Sequence, residues 1–313
     1  MMLIINGCKG RKAHELMGII PKSVKVRSLR GGARLYGIGA VNFRELNCTL
    51  NDGEKIVFWP LEEVDCELMW GLFRLVESRG NVLWFAPKPE QMQVMSDKLA
   101  AKKILAASGF KILPVIDKYD EDKSFVVKLR RGSGSRGISF LSGAELENMN
   151  VADEYFVEEA MQFKKYVGVS GVAFSGEVSF IYSHERVVTK DSFGGASRVA
   201  KVVALDEDLA QLARGFLAEH SYTGCFMFEF GIADGQFILI EFNPRLWGSF
   251  PIAANNFERL IAANFCLERV DYPYYDFFVF CSNFEAIKFC IFMFWRRSHK
   301  VFLSPSLRGF LRN

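Results

Sequence analysis

Residues 226–245 read FMFEFGIADGQFILIEFNPR. Two apolar runs flank Asp234-Gly235, a pair that suits a two-residue hairpin turn in which both central residues take positive φ. The stretch therefore predicts antiparallel strands at Cys225–Ala233 and Gln236–Phe242. That pairing places Glu229 and Glu241 on neighbouring strands with apolar residues on both sides of each. Two carboxylates in such a setting are costly unless a cation neutralises them. Asn243 adds a neutral oxygen, completing a hard-oxygen set of the kind magnesium takes when phosphates fill the remaining positions. The competing reading, two solvent-facing glutamates on an alternating strand, is weakened by their apolar flanks. Phe226, Phe228, Phe230, Phe237 and Phe242 are expected to form a dry wall around the carboxylates.

Outward from this hairpin, the chain has 313 residues, 50% hydrophobic and 24% charged, with 30 Phe, 9 Tyr and 5 Trp. That composition supports two or three units with substantial cores and excludes a disordered chain or a small disulfide scaffold. A net charge of +3, dispersed along the sequence, does not make a nucleic-acid-binding face. Seven scattered cysteines without a Cys-x-x-Cys pair read as reduced thiols of a cytoplasmic protein. The opening MMLIINGCKG has an apolar run too short for a secretory leader and is expected to be a first buried strand.

Leu3–Ile5, Lys55–Trp59 and Val82–Phe85 read as strands of a mostly parallel sheet. A helix at Glu67–Glu77 is expected to bury Leu68, Leu72, Leu75 and Val76. Glu90–Ser108 reads as one amphipathic helix closed by Gly109, with a strand at Phe110–Val115. Further strands are expected at Phe125–Leu129, Ile138–Leu141, Tyr155–Glu159, Val167–Phe174 and Val178–Tyr182, and a helix at Asp206–His220. The class is α+β: a small α/β domain over residues 1–95, a larger mixed domain over 96–270 with a lid over about 112–160, and an extension over 271–313.

Between two of those strands lies Lys128-Leu-Arg-Arg-Gly132-Ser133-Gly134-Ser135-Arg136-Gly137. Its glycines let backbone N–H groups turn onto an anion, and Lys128 and Arg136 add charge. A strand follows rather than a helix, so this is neither a Walker loop nor a dinucleotide fingerprint. A plain hairpin connection is the bland alternative.

Taken in order, Ser96-Asp97-Lys98, FVVKLRRGSGSRGISFL, YFVEEAM, FEFG and LIEFNPRLWGS span about 150 residues. This ordered set resembles the ATP-grasp superfamily, most closely its carboxylate–amine ligase and carbamoyl-phosphate-synthase-like branches. The resemblance implies an ATP-grasp fold preceded by a small Rossmann-like domain, with ATP and Mg2+ as cofactors, two metal ions in number, and Mn2+ as a substitute. It implies that Lys98 and Lys128 hold the ATP phosphates, that Gly132–Gly137 is the mobile lid, and that the backbone of Glu158, Glu159 and Met161 meets the adenine. Glu229, Glu241 and Asn243 match the metal ligands, and Arg245 and Lys128 the catalytic cations. Where the family often places an acidic ribose contact, this chain has Gln162-Phe-Lys-Lys-Tyr166, without a carboxylate.

The implied activity is ATP-dependent ligation: a carboxylate becomes an acyl phosphate and an amine captures it. The competing classes are bicarbonate activation and a non-catalytic nucleotide-binding module. The basic stretch from Arg186 to Arg198 reads as a loop around Gly194-Gly195 that offers Lys190 or Arg198 to the substrate carboxylate, or as a solvated loop. The expected partners are small-molecule acids and amines, with a homodimer as the candidate assembly. Phe277–Trp295 reads as an aromatic helix, packed on the core in preference to lying on a membrane surface, because Glu285 and Lys288 interrupt its apolar run.

Overall fold

β1 (Met2–Asn6) is apolar at four successive positions, and Met2, Leu3, Ile4 and Ile5 are all fully buried, as a strand covered on both faces must be. The computed structural model describes residues 1–6, 11–28, 39–40, 43–132, 137–149, 151–191, 194–263, 265, 277–279 and 301–303. Ser133, Gly134, Ser135 and Arg136, the side chain of Lys190, and most of the aromatic tail lie outside the described residues.

After β1 come α1 (Arg11–Met17), β2 (Lys25–Ser28), β3 (Gly39–Ala40), α2 (Phe43–Asn51), β4 (Ile56–Pro60), α3 (Cys66–Val76) and β5 (Val82–Trp84). The strands form a parallel sheet in the order β3-β2-β1-β4-β5. The predicted helix is present as α3, but its buried stripe differs from the expected one. Cys66, Met69 and Val76 are buried with Leu72 and Phe73 packed beside them, while Leu68 and Leu75 are 48% and 73% exposed. Leu68 and Leu75 are two turns apart on the outer side, and the bulkier Met and aromatic residues take the inner one.

The single helix expected at 90–108 is two: α4 (Pro89–Ser96) and α5 (Lys98–Ala107). Asp97 takes an extended conformation, and its Oδ1 accepts from the N–H groups of Leu99 and Ala100, each at 3.1 Å. An aspartate there satisfies the orphan donors of a new helix start. The strand expected at Phe110–Val115 reduces to isolated bridges from Ile112 to Leu239 and from Val115 to Glu158.

A three-stranded antiparallel sheet follows, β7-β6-β8, from β6 (Ser124–Leu129), β7 (Ile138–Ser142) and β8 (Tyr155–Glu159), with α6 (Gly143–Glu147) after β7. The largest sheet contains β9 (Lys165–Phe174), β10 (Glu177–Asp191), β11 (Gly194–Val203), β12 (Gly224–Ala233) and β13 (Gln236–Asn243), in the order β13-β12-β9-β10-β11. α7 (Glu207–Glu219) lies between β11 and β12 in the chain, and α8 (Ala254–Ala262) follows β13. Asp234 and Gly235 have φ of 49° and 76°, as the hairpin turn requires. The segment expected to be a basic loop, from Arg186 to Arg198, is instead a continuation of β10 and β11 around residues 192–193. β14 (Phe277–Val279) pairs with β11 and with β15 (Val301–Leu303), so the expected aromatic helix does not begin at Phe277.

The phenylalanines of the 226–242 hairpin do not wall the carboxylates. Side chains alternate along a strand, so Phe226, Phe228 and Phe230 face away from Glu229. They build a core with Phe110, Phe216 and Phe242, with Phe228 and Phe242 ring centroids 4.6 Å apart. On the carboxylate side, Met227, Tyr182 and Trp247 join Leu3, Trp59 and Phe257 in a core shared with the first sheet.

Candidate active site

Glu229 and Glu241 are directly opposed in the β12–β13 ladder, and a register irregularity begins immediately after Glu229. The row continues to Gly168 on β9 and His184 on β10, all on one face of the sheet. Gly168 lets this row close up, since a Cβ there would lie 2.5 Å from the His184 ring. His184 shares a 3.1 Å hydrogen bond with Ser249, and burial pushes its pKa down to about 3. It is therefore a neutral imidazole at ordinary pH.

Like charges directly across a ladder are unfavourable, and each glutamate is met by a cation. Arg186, two residues beyond His184, reaches across β9 to pair with Glu229. Lys98 at the start of α5 lies 3.6 Å from Glu241. Burial and the charge of Glu229 hold the Glu241 carboxyl above its usual pKa, against the opposing pull of Lys98, Arg245 and Lys128. Asn243, on the same side of β13 as Glu241, accepts from Arg245 at 3.2 Å. Arg245 is gripped by Glu63 at 2.6 Å and lies 3.6 Å from Glu62. Burial opposes its charge, but the two glutamates outweigh burial and raise its pKa.

The second half of the site joins α5 to the three-stranded sheet. Lys98 donates from Nζ to the Gly132 carbonyl at 2.6 Å, and from its backbone N–H to the Arg130 carbonyl at 2.8 Å. Asp97, the cap of α5, also binds Arg130 at 2.7 Å. Both ends of the glycine loop are thus described, and its start is tied to the helix that carries Lys98. Lys128, on β6, pairs with Glu158 on β8. Glu159 pairs at the surface with Lys123 at 3.2 Å, and Met161 is 42% exposed.

Seven of the residues singled out in the sequence are therefore brought into one charged network: Lys98, Lys128, Glu158, Glu229, Glu241, Asn243 and Arg245. Arg198 lies half-buried on β11. The sequence reading missed Arg186, Lys102, Glu62 and Glu63. Lys102 had a signal, standing four residues after Lys98 and so on the same helix face. Glu62 and Glu63 had none, because they come from the turn after β4, far away in the chain. A cavity of about 230 Å³ lined by Val167, Glu185, Asp206, Leu209 and Phe237 opens on the phenylalanine side of the sheet, away from this network.

Glu229, Glu241 and Asn243 fit a magnesium ion. Two carboxylates and one amide are hard oxygen donors and leave room for the water or phosphate oxygens that magnesium retains. Burial, and after it the charge of Glu229, raise the pKa of Glu241, and a bound cation would favour its charged form.

No protein-family model matches the chain. The pyruvate carboxylase of Bacillus subtilis (strain 168) is 20% identical over 206 residues, covering 55% of this chain and 17% of that protein. The chain thus spans about a sixth of the length of that curated relative. Among solved structures, the biotin carboxylase domain of Hydrogenobacter thermophilus 2-oxoglutarate carboxylase, in complex with MgADP, ADP and bicarbonate, superposes with a TM-score of 0.61 at 16% identity. That match covers 87% of this chain and 71% of the other. The N5-carboxyaminoimidazole synthetase of Staphylococcus aureus gives a TM-score of 0.60 at 17% identity, covering 88% and 80%. Together with the ordered motifs from Lys98 to Arg245, these likenesses establish that the chain has the ATP-grasp fold.

Proposed function

We propose that this chain is an ATP-dependent ligase that activates a carboxylate as an acyl phosphate for capture by an amine or similar nucleophile. The observation that carries the reading is that Lys98, Lys128 and Arg245, far apart in the chain, all bear on Glu241, which is directly opposed to Glu229. Cations gathered beside two opposed carboxylates suit a polyphosphate bridged to a metal. Magnesium held by Glu229, Glu241 and Asn243 would supply charge neutralisation on the transferred phosphoryl group.

The chain's own residues do the rest. Lys98 and Lys128 bind phosphate oxygens, and each must exchange a glutamate partner for the ligand. Arg245, held between Glu63 and Asn243, is aimed where negative charge grows as a carboxylate oxygen attacks the γ-phosphorus and the bond to ADP breaks. The Gly132–Gly137 loop, tethered through Lys98 and Arg130, excludes water from the activated acid when it closes. The adenine meets the backbone of Glu158 and Glu159, the last two residues of β8, and of Met161 just past it. Lys190 or Arg198, from β10 and β11, binds the substrate carboxylate, and on the Arg198 assignment Arg198→Ala raises its KM.

Bicarbonate is the favoured first acid to test, because the superposed biotin carboxylase domain was captured with bicarbonate and MgADP. The experiment is ADP release by the purified chain with MgATP against bicarbonate, dicarboxylates and pooled amino acids. Release stimulated by one acid class supports the ligase and names the acid. ATP binding without release under every condition would point to a nucleotide-binding module instead.

A further inference from the structure

Glu158 is fully buried, and its carboxylate stands between two lysines from different elements: Lys128 from β6 and Lys102 from α5. Lys102 is 2% exposed and Lys128 8%. Glu158 thus has two cationic partners, and Glu241 is the further carboxylate whose charge acts on both lysines. The two lysines are not equivalent. Lys102 lies deep in α5, one turn beyond Lys98, where burial lowers its pKa and Glu158 opposes that shift. Lys128 lies at the end of β6 where the glycine loop begins, on the side from which a phosphate would arrive.

We propose that Lys102 is a positioning residue: it is the permanent counter-ion of Glu158, and its presence leaves Lys128 free to turn from Glu158 to the phosphates of a bound nucleotide. The inference rests on the nucleotide reading given above. Without Lys102, Glu158 and Lys128 would form a closed neutral pair, and drawing Lys128 away would strand a fully buried carboxylate. With Lys102 in place, Glu158 keeps a partner throughout, and the exchange costs only the difference between two ion pairs.

The two members of the Lys102–Glu158 pair should then have opposite effects on phosphate binding, which a purely structural pair would not show. The test is titration calorimetry of the full chain with ATP and, separately, with adenosine, alongside thermal melts. Lys102→Met is expected to weaken ATP binding by about tenfold or more, equivalent to about 1.4 kcal/mol, and to leave adenosine binding unchanged. Glu158→Gln is expected to tighten ATP binding, because both lysines then face the ligand without competition. Should either single variant fail to fold, the double variant removes both charges together and is expected to recover most of the ATP affinity that Lys102→Met loses. Equal weakening of ATP and adenosine by both single changes would overturn the proposal and make the pair a structural one. A wild-type chain that binds neither ligand would overturn the nucleotide reading and this inference with it.

Discussion

Glu229 and Glu241 face each other across adjacent strands, yet each is answered by a different cation, Arg186 from β10 and Lys98 from α5. The pair is a like-charge contact kept tolerable by neighbours drawn from two other elements. On the proposed reading a metal ion joins these cations, and the following outcomes are specific to it.

Glu241→Ala should reduce MgATP-dependent ADP release by about a hundredfold or more, the scale seen when a single preorganised electrostatic group is removed from a site of this kind. Folding should survive, because the change relieves the repulsion from Glu229. Steady-state assay and a thermal melt on the same sample check both parts. Undiminished turnover would remove Glu241 from the metal site.

Asp97 has two separable duties, capping α5 and holding Arg130. Asp97→Ala should lower stability by about 1 kcal/mol or more through loss of the cap. Asp97→Asn should keep most of that stability while loosening the start of the glycine loop. Urea unfolding measures the first effect, and protease cleavage within 130–137 measures the second.

Gly168→Ala should destabilise the fold by about 1–3 kcal/mol, the usual range for overpacking, because its Cβ meets the His184 ring rather than open space. Gly235→Ala is a useful contrast: nothing lies within 4 Å of its Cβ position, but its φ of 76° strains an L-residue. Denaturant midpoints of the two variants distinguish crowding from backbone strain.

Lys12 has a pKa pushed down to about 8 from 10.5, by burial first and by Arg245 second. Its charged form is disfavoured in the folded chain, so the folded state gives up the proton before the unfolded state does. The destabilisation is complete below about pH 8 and fades as pH rises from about 8 towards 10.5. The Tm of the wild type minus that of Lys12→Met should therefore rise across that interval. A flat difference would show that Lys12 titrates normally.

Much of this architecture could be read along the chain. The hairpin turn at Asp234-Gly235, the buried strand at 2–6 and the helix after Asp206 each rest on local rules: a turn pair, an apolar run, a cap. Errors arose where two local rules competed. Asp97 broke a continuous apolar period because it caps a second helix. The phenylalanines around Glu229 seemed to enclose it, whereas strand alternation sends them to the opposite face.

The sequence by itself determined the main strands around the hairpin and the residue types of the candidate site, from Lys98 through Lys128 to the opposed glutamates and Arg245. These follow from spacing and side-chain chemistry, which are properties of short stretches. Only the tertiary structure decided the partners. Arg186 comes to Glu229 across an intervening strand, Glu63 reaches Arg245 from the turn after β4, and Lys102 and Lys128 meet at Glu158. The physical reason is that a buried charge must be neutralised by whichever group the packing brings within a few ångströms, and nothing in local sequence specifies which group that is.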